Sequence, residues 1–216
     1  MTRSAVIATA LAMNSSGINA GTAGNVSMRT GEGMLITPSG VPYEQLTDSD
    51  VVAMALDTTW EASNDRRPSS EWRFHLDVYR HRPEVNAVVH AHPVNVTGLA
   101  VHGRGIGPFH YMVAVAGGVD IRCAPYATFG TQELSDHVLA ALEGRRACLM
   151  AHHGLLAVGV SLDAALALAI EVEVLAGQLL AALTIGEPPE LSTEQMNEVL
   201  TKMQVAGYGS EPGARQ

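Results

Sequence analysis

Residues 85–92 read Val85-Asn86-Ala87-Val88-Val89-His90-Ala91-His92, and this stretch decides the fold. Val85, Ala87, Val89 and Ala91 fall on one face, and Asn86, Val88, His90 and His92 on the other. The apolar run marks a buried strand. His90 and His92 project from the same face, so both imidazoles can converge on one metal ion. Two buried histidines with ordinary hydrogen-bond partners would give the same letters. The buried setting favours the shared ion, because two desolvated imidazoles facing one way are costly without a common ligand.

Working outward, residues 25–29 and 34–37 read as short strands around a turn at 31–33, and 51–56 as another. Pro68-Ser69-Ser70 opens a helix that runs to about His81 and stops at Pro83. Residues 111–126 read as strand-rich, broken at Gly117-Gly118. A helix over 132–142 follows, then a strand over 147–152 that continues after a bend over 154–158. Ser161 caps a long helix ending near Gly186. The last helix starts at Ser192, where Gln195 completes a capping box and Leu191 with Met196 forms a hydrophobic staple. This irregular alternation predicts an α/β fold: a three-layer sandwich with a mixed, largely antiparallel central sheet. The glycine fingerprint of a doubly wound dinucleotide-binding sheet is absent.

The 216 residues carry no repeat, low-complexity block or linker, so residues 1–216 read as a single domain. Hydrophobic residues make up 47% and charged residues 16%, enough for a large core. The net charge of -9 argues against nucleic acid or an anionic membrane as partner. An anionic substrate must therefore be held by a local device, a metal or a cluster of backbone N–H groups. Cys123 and Cys148 are the only cysteines, which excludes a Cys-based zinc site and argues against a disulfide framework. Arg3 and the apolar residues to Met13 imitate a weak secretory signal, but the run is short, and an amphipathic helix with Ile7, Ala10 and Leu11 on one face is expected in a cytoplasmic protein. The most apolar segment, 164–183, is interrupted by Glu171, Glu173 and Gln178, so it reads as a helix needing cover on several sides rather than a membrane span. That hints at a subunit interface.

Further candidates surround the histidine strand. His152-His153-Gly154 closes an apolar strand, and spacing admits one of the two histidines to a site without choosing which. Ser69-Ser70-Glu71 suits a serine cap with an acid in the first helical turn. A helix start with two hydroxyls also suits a phosphate, with the carboxylate reaching a nearby metal. Gly21-Thr22-Ala23-Gly24-Asn25 and Pro38-Ser39-Gly40 are ordinary turns in isolation, and together offer N–H groups to an anion. Lys202, the single lysine, sits in the last helix. That placement argues against a buried imine-forming lysine, and a metal is the natural electron sink.

Taken in order, GTAGNVS, LITPSG, PSSEWRFH, AVVHAH, HYMVAVAGG, APYATFGT, HHGLLA and EVEVLA resemble the class II aldolase/adducin family over roughly residues 5 to 203. The resemblance implies one zinc ion per subunit bound by His90, His92 and His153, with Glu71 as the fourth ligand in the resting enzyme. It implies a substrate phosphate surrounded by Gly24, Asn25, Ser39, Gly40, Ser69 and Ser70. Glu71 would also be the acid/base at the carbon that becomes the nucleophile. Thr22, Tyr111 and Phe129 would shape the reaction environment, Tyr111 handling the proton at the aldehyde oxygen. The implied reaction is cleavage of a phosphorylated ketose to dihydroxyacetone phosphate and a small aldehyde, in a homotetramer with sites between subunits. The family's C-terminal tyrosine falls on Ala206 in a gapless alignment, and Tyr208 matches only after a two-residue shift. Other sugar-phosphate aldolases or epimerases on the same scaffold are rival readings, although the epimerases typically carry an aspartate at the position of Glu71. A non-catalytic adducin-like binding module is a rival of another class, opposed by the intact histidine set.

Overall fold

The computed structural model describes residues 2–31, 33–62 and 65–207. Eight strands form one sheet: β1 (Asn25–Arg29), β2 (Gly33–Ile36), β3 (Val52–Ala55), β4 (Trp60–Glu61), β5 (Ala87–Ala91), β6 (Cys123–Ala124), β7 (Ala147–Met150) and β8 (Gly154–Gly159). Their order is β4-β3-β2-β1-β5-β8-β7-β6. Among the described residues only β6 and β7 pair in parallel, so the sheet is mixed and largely antiparallel, as expected.

Among the described residues six α-helices cover the two faces: α1 (Arg3–Ser15), α2 (Trp72–His81), α3 (Val94–Ala100), α4 (Gln132–Ala141), α5 (Leu162–Leu183) and α6 (Thr193–Val205). The strand alternation explains the two layers. Val26, Met28, Leu35, Ala87, Val89, Ala91, Leu149 and Leu155 share one core with residues of α1, α3, α5 and α6. Met34, Ile36, Val88, Cys148, Met150 and Leu156 share a second core with α2 and α4. In β5 the split follows the period-two reading, except that Val85, lying before the regular strand, packs with Val88 instead of Ala87.

By length and composition alone, α5 meets the requirement for a membrane span. Its stripe of Ala165, Leu168, Ala169, Val172, Leu175, Ala176 and Leu179 is instead buried in the first core. Glu173 accepts from the backbone N–H groups of Asn95 and Val96 and so caps α3. The caps at Ser161 and Ser192 form as read, the latter with the full Gln195 capping box.

Three expectations need correction. Residues 111–126 are not strand-rich. Tyr111–Ala116 is a 3-10 helix, followed only by a bridge between Ile106 and Ile121 and the two-residue β6. A short apolar run has no decisive period, and here Val113, Ala114, Val115 and Ala116 are all buried, with a left-handed Gly117 ending the turn. Helix α1 buries Val6, Thr9, Ala10 and Met13, leaving Leu11 exposed. Helix α2 begins at Trp72, later than Pro68-Ser69-Ser70 suggested. Glu71 is its N-cap residue but makes no capping bond, so the expected first-turn acid is absent.

Candidate active site

Strand β5 delivers His90 at its end and His92 just past it. The β7–β8 turn delivers His153, and the entry to α2 delivers Glu71. One ligand atom from each of these four lies within 4.8 Å of the others. The imidazole centres are 4.7–4.9 Å apart and the rings are steeply inclined to one another. His90 donates from Nδ1 to the Leu155 carbonyl at 2.8 Å, which fixes its tautomer and leaves the Nε2 lone pair facing inward. His90 Nε2 and His92 Nε2 are 2.9 Å apart and can share at most one proton.

Glu71 answers from the opposite side. Its Oε2 lies 3.1 Å from His90 Nε2 and accepts from Asn25 Nδ2 at 3.0 Å. Its Oε1 lies 2.9 Å from His153 Nε2, yet the contact lacks hydrogen-bond geometry and Oε1 is a buried acceptor without a donor. Buried carboxylate oxygens are normally paired. An orphaned oxygen beside convergent imidazole nitrogens fits a cation, and a carboxylate with three imidazoles is a donor set suited to a divalent transition metal. Burial opposes ionisation of Glu71, but the electrostatic influence of the adjoining His90 and His153 imidazoles outweighs it and holds the carboxyl well below its usual range. Burial, then the neighbouring charges of His90 and His153, push His92 down to about 4, so at neutral pH it offers a lone pair.

The local backbone makes these meetings possible. His152 adopts a left-handed conformation that turns β7 into β8, pointing His152 outward beside Tyr126 and His153 inward. Of the adjacent pair, only His153 joins the cluster. Gly154 then starts β8 so close to β5 that a Cβ there would sit 2.3 Å from the Ala91 carbonyl oxygen.

The loops expected around a phosphate are brought side by side. Pro38 bridges Pro68, Ser39 N–H donates to the Arg67 carbonyl and Ser69 N–H to that of Thr37. Ser39, Gly40 and Ser70 are exposed at this junction. Ser69 is buried, its Oγ accepting from the Glu71 N–H. Gly24 and Asn25 are less available: the Gly24 N–H donates to Asn19, and the Asn25 side chain serves Glu71 and His75. Thr22 is exposed in the turn before β1. Phe129 is 61% exposed, on a loop whose Gly130 abuts the Ser70 carbonyl. Tyr111, 50% exposed, lies tilted against the His110 ring, and the 3-10 helix that carries it packs against α5 and α6, apart from the four clustered residues. Tyr208 lies outside the described residues. Lys202 is exposed and paired with Glu198, unlike an imine-forming lysine.

The sequence reading missed His75, Ser27 and Tyr79. All three are buried behind Glu71. Glu71, His75 and Tyr79 follow a four-residue spacing, and Asn25 and Ser27 a two-residue spacing, signals that place each set on one face. Burial, then the charge of His90, pushes His75 down to about 3, so it is neutral. Two concavities of about 450 and 560 Å³ open along the start of α5 and include none of the four clustered residues; the convergent donors locate the site, not the concavities.

Fold and site define an α/β sandwich enzyme whose sheet end carries a carboxylate and three imidazoles able to hold a metal. The sequence model of the Class II Aldolase and Adducin N-terminal domain matches residues 4–180, and the chain belongs to that family. It is 52% identical to L-fuculose phosphate aldolase of Escherichia coli strain K12 over 95% of both chains. It is 53% identical to 5-methylthioribulose-1-phosphate/5-deoxyribulose-1-phosphate aldolase of Rhodospirillum rubrum, over 90% of this chain and 87% of that protein. A solved L-fuculose 1-phosphate aldolase superposes with a TM-score of 0.90 at 37% identity, covering 94% of this chain and 96% of that one. The chain is thus a class II aldolase, a lyase of the aldehyde-lyase type.

Proposed function

We propose that the chain cleaves a ketose 1-phosphate of the L-fuculose 1-phosphate type, releasing dihydroxyacetone phosphate and an aldehyde such as L-lactaldehyde, with zinc as its metal. The observation that carries this reading is the convergence of Glu71, His90, His92 and His153 beside the paired hydroxyl loops of Ser39 and Ser69-Ser70. Held by His90, His92 and His153, with Glu71 as fourth ligand in the resting enzyme only, zinc would supply Lewis acidity for the negative charge that develops at the carbonyl oxygen.

The remaining work falls to the chain's own groups. Ser39, Gly40 and Ser70 bind the phosphate without a lysine, and Ser69 orients Glu71 through its N–H. The C3–C4 bond breaks as the C4 hydroxyl proton leaves through Tyr111 and the electron pair stays with the C1–C3 fragment. Glu71, protonated from solvent, then delivers that proton to C3, and Tyr111 passes the hydroxyl proton on to solvent. The Glu71 Oε2 is engaged by Asn25, so Oε1 is the oxygen for the transfer to C3. The exposed rings of Tyr111 and Phe129 support a homotetramer in which neighbouring subunits complete each site, with Tyr208 contributed from the C-terminal tail. A cytoplasmic setting accords with this chemistry.

The similarity to the Rhodospirillum rubrum aldolase favours a second reading, with 5-deoxyribulose or 5-methylthioribulose 1-phosphate as substrate. A cleavage screen over fuculose, rhamnulose, 5-deoxyribulose and methylthioribulose 1-phosphates, read by released dihydroxyacetone phosphate, separates the two. The highest kcat/KM is expected for fuculose 1-phosphate. Preference for a 5-deoxy or methylthio sugar would install the second reading, and release from none of them by zinc-loaded protein would overturn both.

A further inference from the structure

A file of buried polar side chains runs from Glu71 into the layer between β1 and α2. Asn25 Nδ2 donates to Glu71 Oε2 at 3.0 Å. Asn25 Oδ1 is hydrogen-bonded to His75 Nε2, His75 Nδ1 lies 2.7 Å from Ser27 Oγ, and Ser27 Oγ lies 2.8 Å from the Tyr79 hydroxyl. The direction of each bond follows from the chemistry of its ends. An ionised carboxylate only accepts, so Asn25 must turn its NH2 towards Glu71. Its Oδ1 then accepts from His75 Nε2–H. The neutral ring is left with an unprotonated Nδ1, which accepts from Ser27 Oγ–H, and Ser27 in turn accepts from the Tyr79 O–H. Every donor points towards Glu71, the arrangement in which successive hydrogen bonds reinforce one another. His75 and Ser27 are fully buried, so no water substitutes for a lost member without rearrangement.

We propose that His75 is a positioning residue for Glu71: its Nε2–H locks the Asn25 amide so that the NH2 stays on Oε2 and Oε1 remains the oxygen turned towards His153 and the substrate. The role rests on the reading of Glu71 as metal ligand and proton carrier. Without the His75 donor, the Asn25 amide is free to rotate and the carboxylate loses the bond that sets its orientation. Partners of this kind, one shell behind a metal ligand, typically carry about 10- to 100-fold in metal affinity or activity.

The test uses His75→Phe, which keeps a planar ring beside Phe74 but no donor, and His75→Gln, whose amide can donate to Asn25 and accept from Ser27. Cobalt affinity is measured by chelator competition, alongside kcat and KM for cleavage and thermal melting of the metal-free protein. His75→Phe is expected to weaken cobalt binding and lower kcat by about 10- to 100-fold with little change in KM, and His75→Gln to recover most of both. Wild-type affinity and kcat in His75→Phe would overturn the proposal. So would a loss that His75→Gln fails to recover while both variants melt alike, since that marks a packing role. If His75→Phe does not fold, Ser27→Ala decides. It leaves the ring in place but frees its tautomer, and is expected to cost about 2- to 10-fold in kcat and cobalt affinity; no change would overturn the proposal. Absence of cleavage by the wild type would count against the proposed reaction, while the ranking of cobalt affinities would still decide on His75.

Discussion

Replacing Gly154 with alanine would put a methyl carbon 2.3 Å from the Ala91 carbonyl oxygen and 2.8 Å from His92 Cδ2. A non-bonded carbon needs roughly 3.5 Å, so β5 and β8 must part locally by about 1 Å. Strain of this kind in a packed layer costs about 1–3 kcal/mol. For a domain of this size that lowers the melting temperature of the metal-free protein by about 2–12 °C. The effect on the site should be larger. The same shift moves His92 relative to His153, whereas metal–ligand distances tolerate only about 0.2 Å, so zinc affinity should fall by about 10-fold or more. Gly98→Ala on α3 is the control, because its Cβ would meet only Leu180 Cδ1 at 3.6 Å. Helix propensity predicts it to be neutral or stabilising by up to about 1 kcal/mol, with zinc affinity unchanged. Calorimetry of chelator-treated protein and competition titration with zinc read both variants. If Gly154→Ala melts and binds zinc like the wild type, the close approach of β8 to β5 does not set the ligands and this reasoning is wrong.

His153→Ala should lose most of its metal on dialysis while His152→Ala retains it, since only His153 faces Glu71; elemental analysis showing the reverse ranking would assign the wrong histidine. Glu71→Gln should lower cleavage by about 10²- to 10⁴-fold with little loss of stability, and should abolish proton exchange between dihydroxyacetone phosphate and solvent; exchange at the wild-type rate would show another group to be the base. His75 and His92 titrate below their ordinary 6.5, at about 3 and about 4, so the folded metal-free protein binds fewer protons than the unfolded chain. Their contribution is complete above about pH 6.5 and is lost as pH falls towards 3, on the order of a few kcal/mol. Urea midpoints should therefore drop across that window, and less steeply for His75→Gln. An identical slope in the variant would show that His75 is not buried neutral.

Much of the site was legible because it follows strand periodicity. His90 and His92, two residues apart in an apolar strand, meet as expected. The period could not choose between His152 and His153, because that depends on the left-handed turn at His152; the family resemblance pointed to His153, which is the one that lies in the cluster. Glu71 read equally well as a helix-start acid, and only tertiary structure turns its carboxylate away from the helix end. Residues 111–116 were misread because a short apolar run fits a strand and a buried 3-10 helix alike. The file behind Glu71 escaped notice because Ser27, His75 and Tyr79 are individually unremarkable, and their meaning arises when β1 packs against α2.

The central claim is that Glu71, His90, His92 and His153 hold a metal that cleavage requires. Elemental analysis of the purified protein, paired with dihydroxyacetone phosphate release before chelation, after chelation and after zinc is returned, tests it most directly. The account predicts one zinc per chain, cleavage lost with the metal and restored with zinc. Full cleavage by protein verified to be metal-free would contradict it.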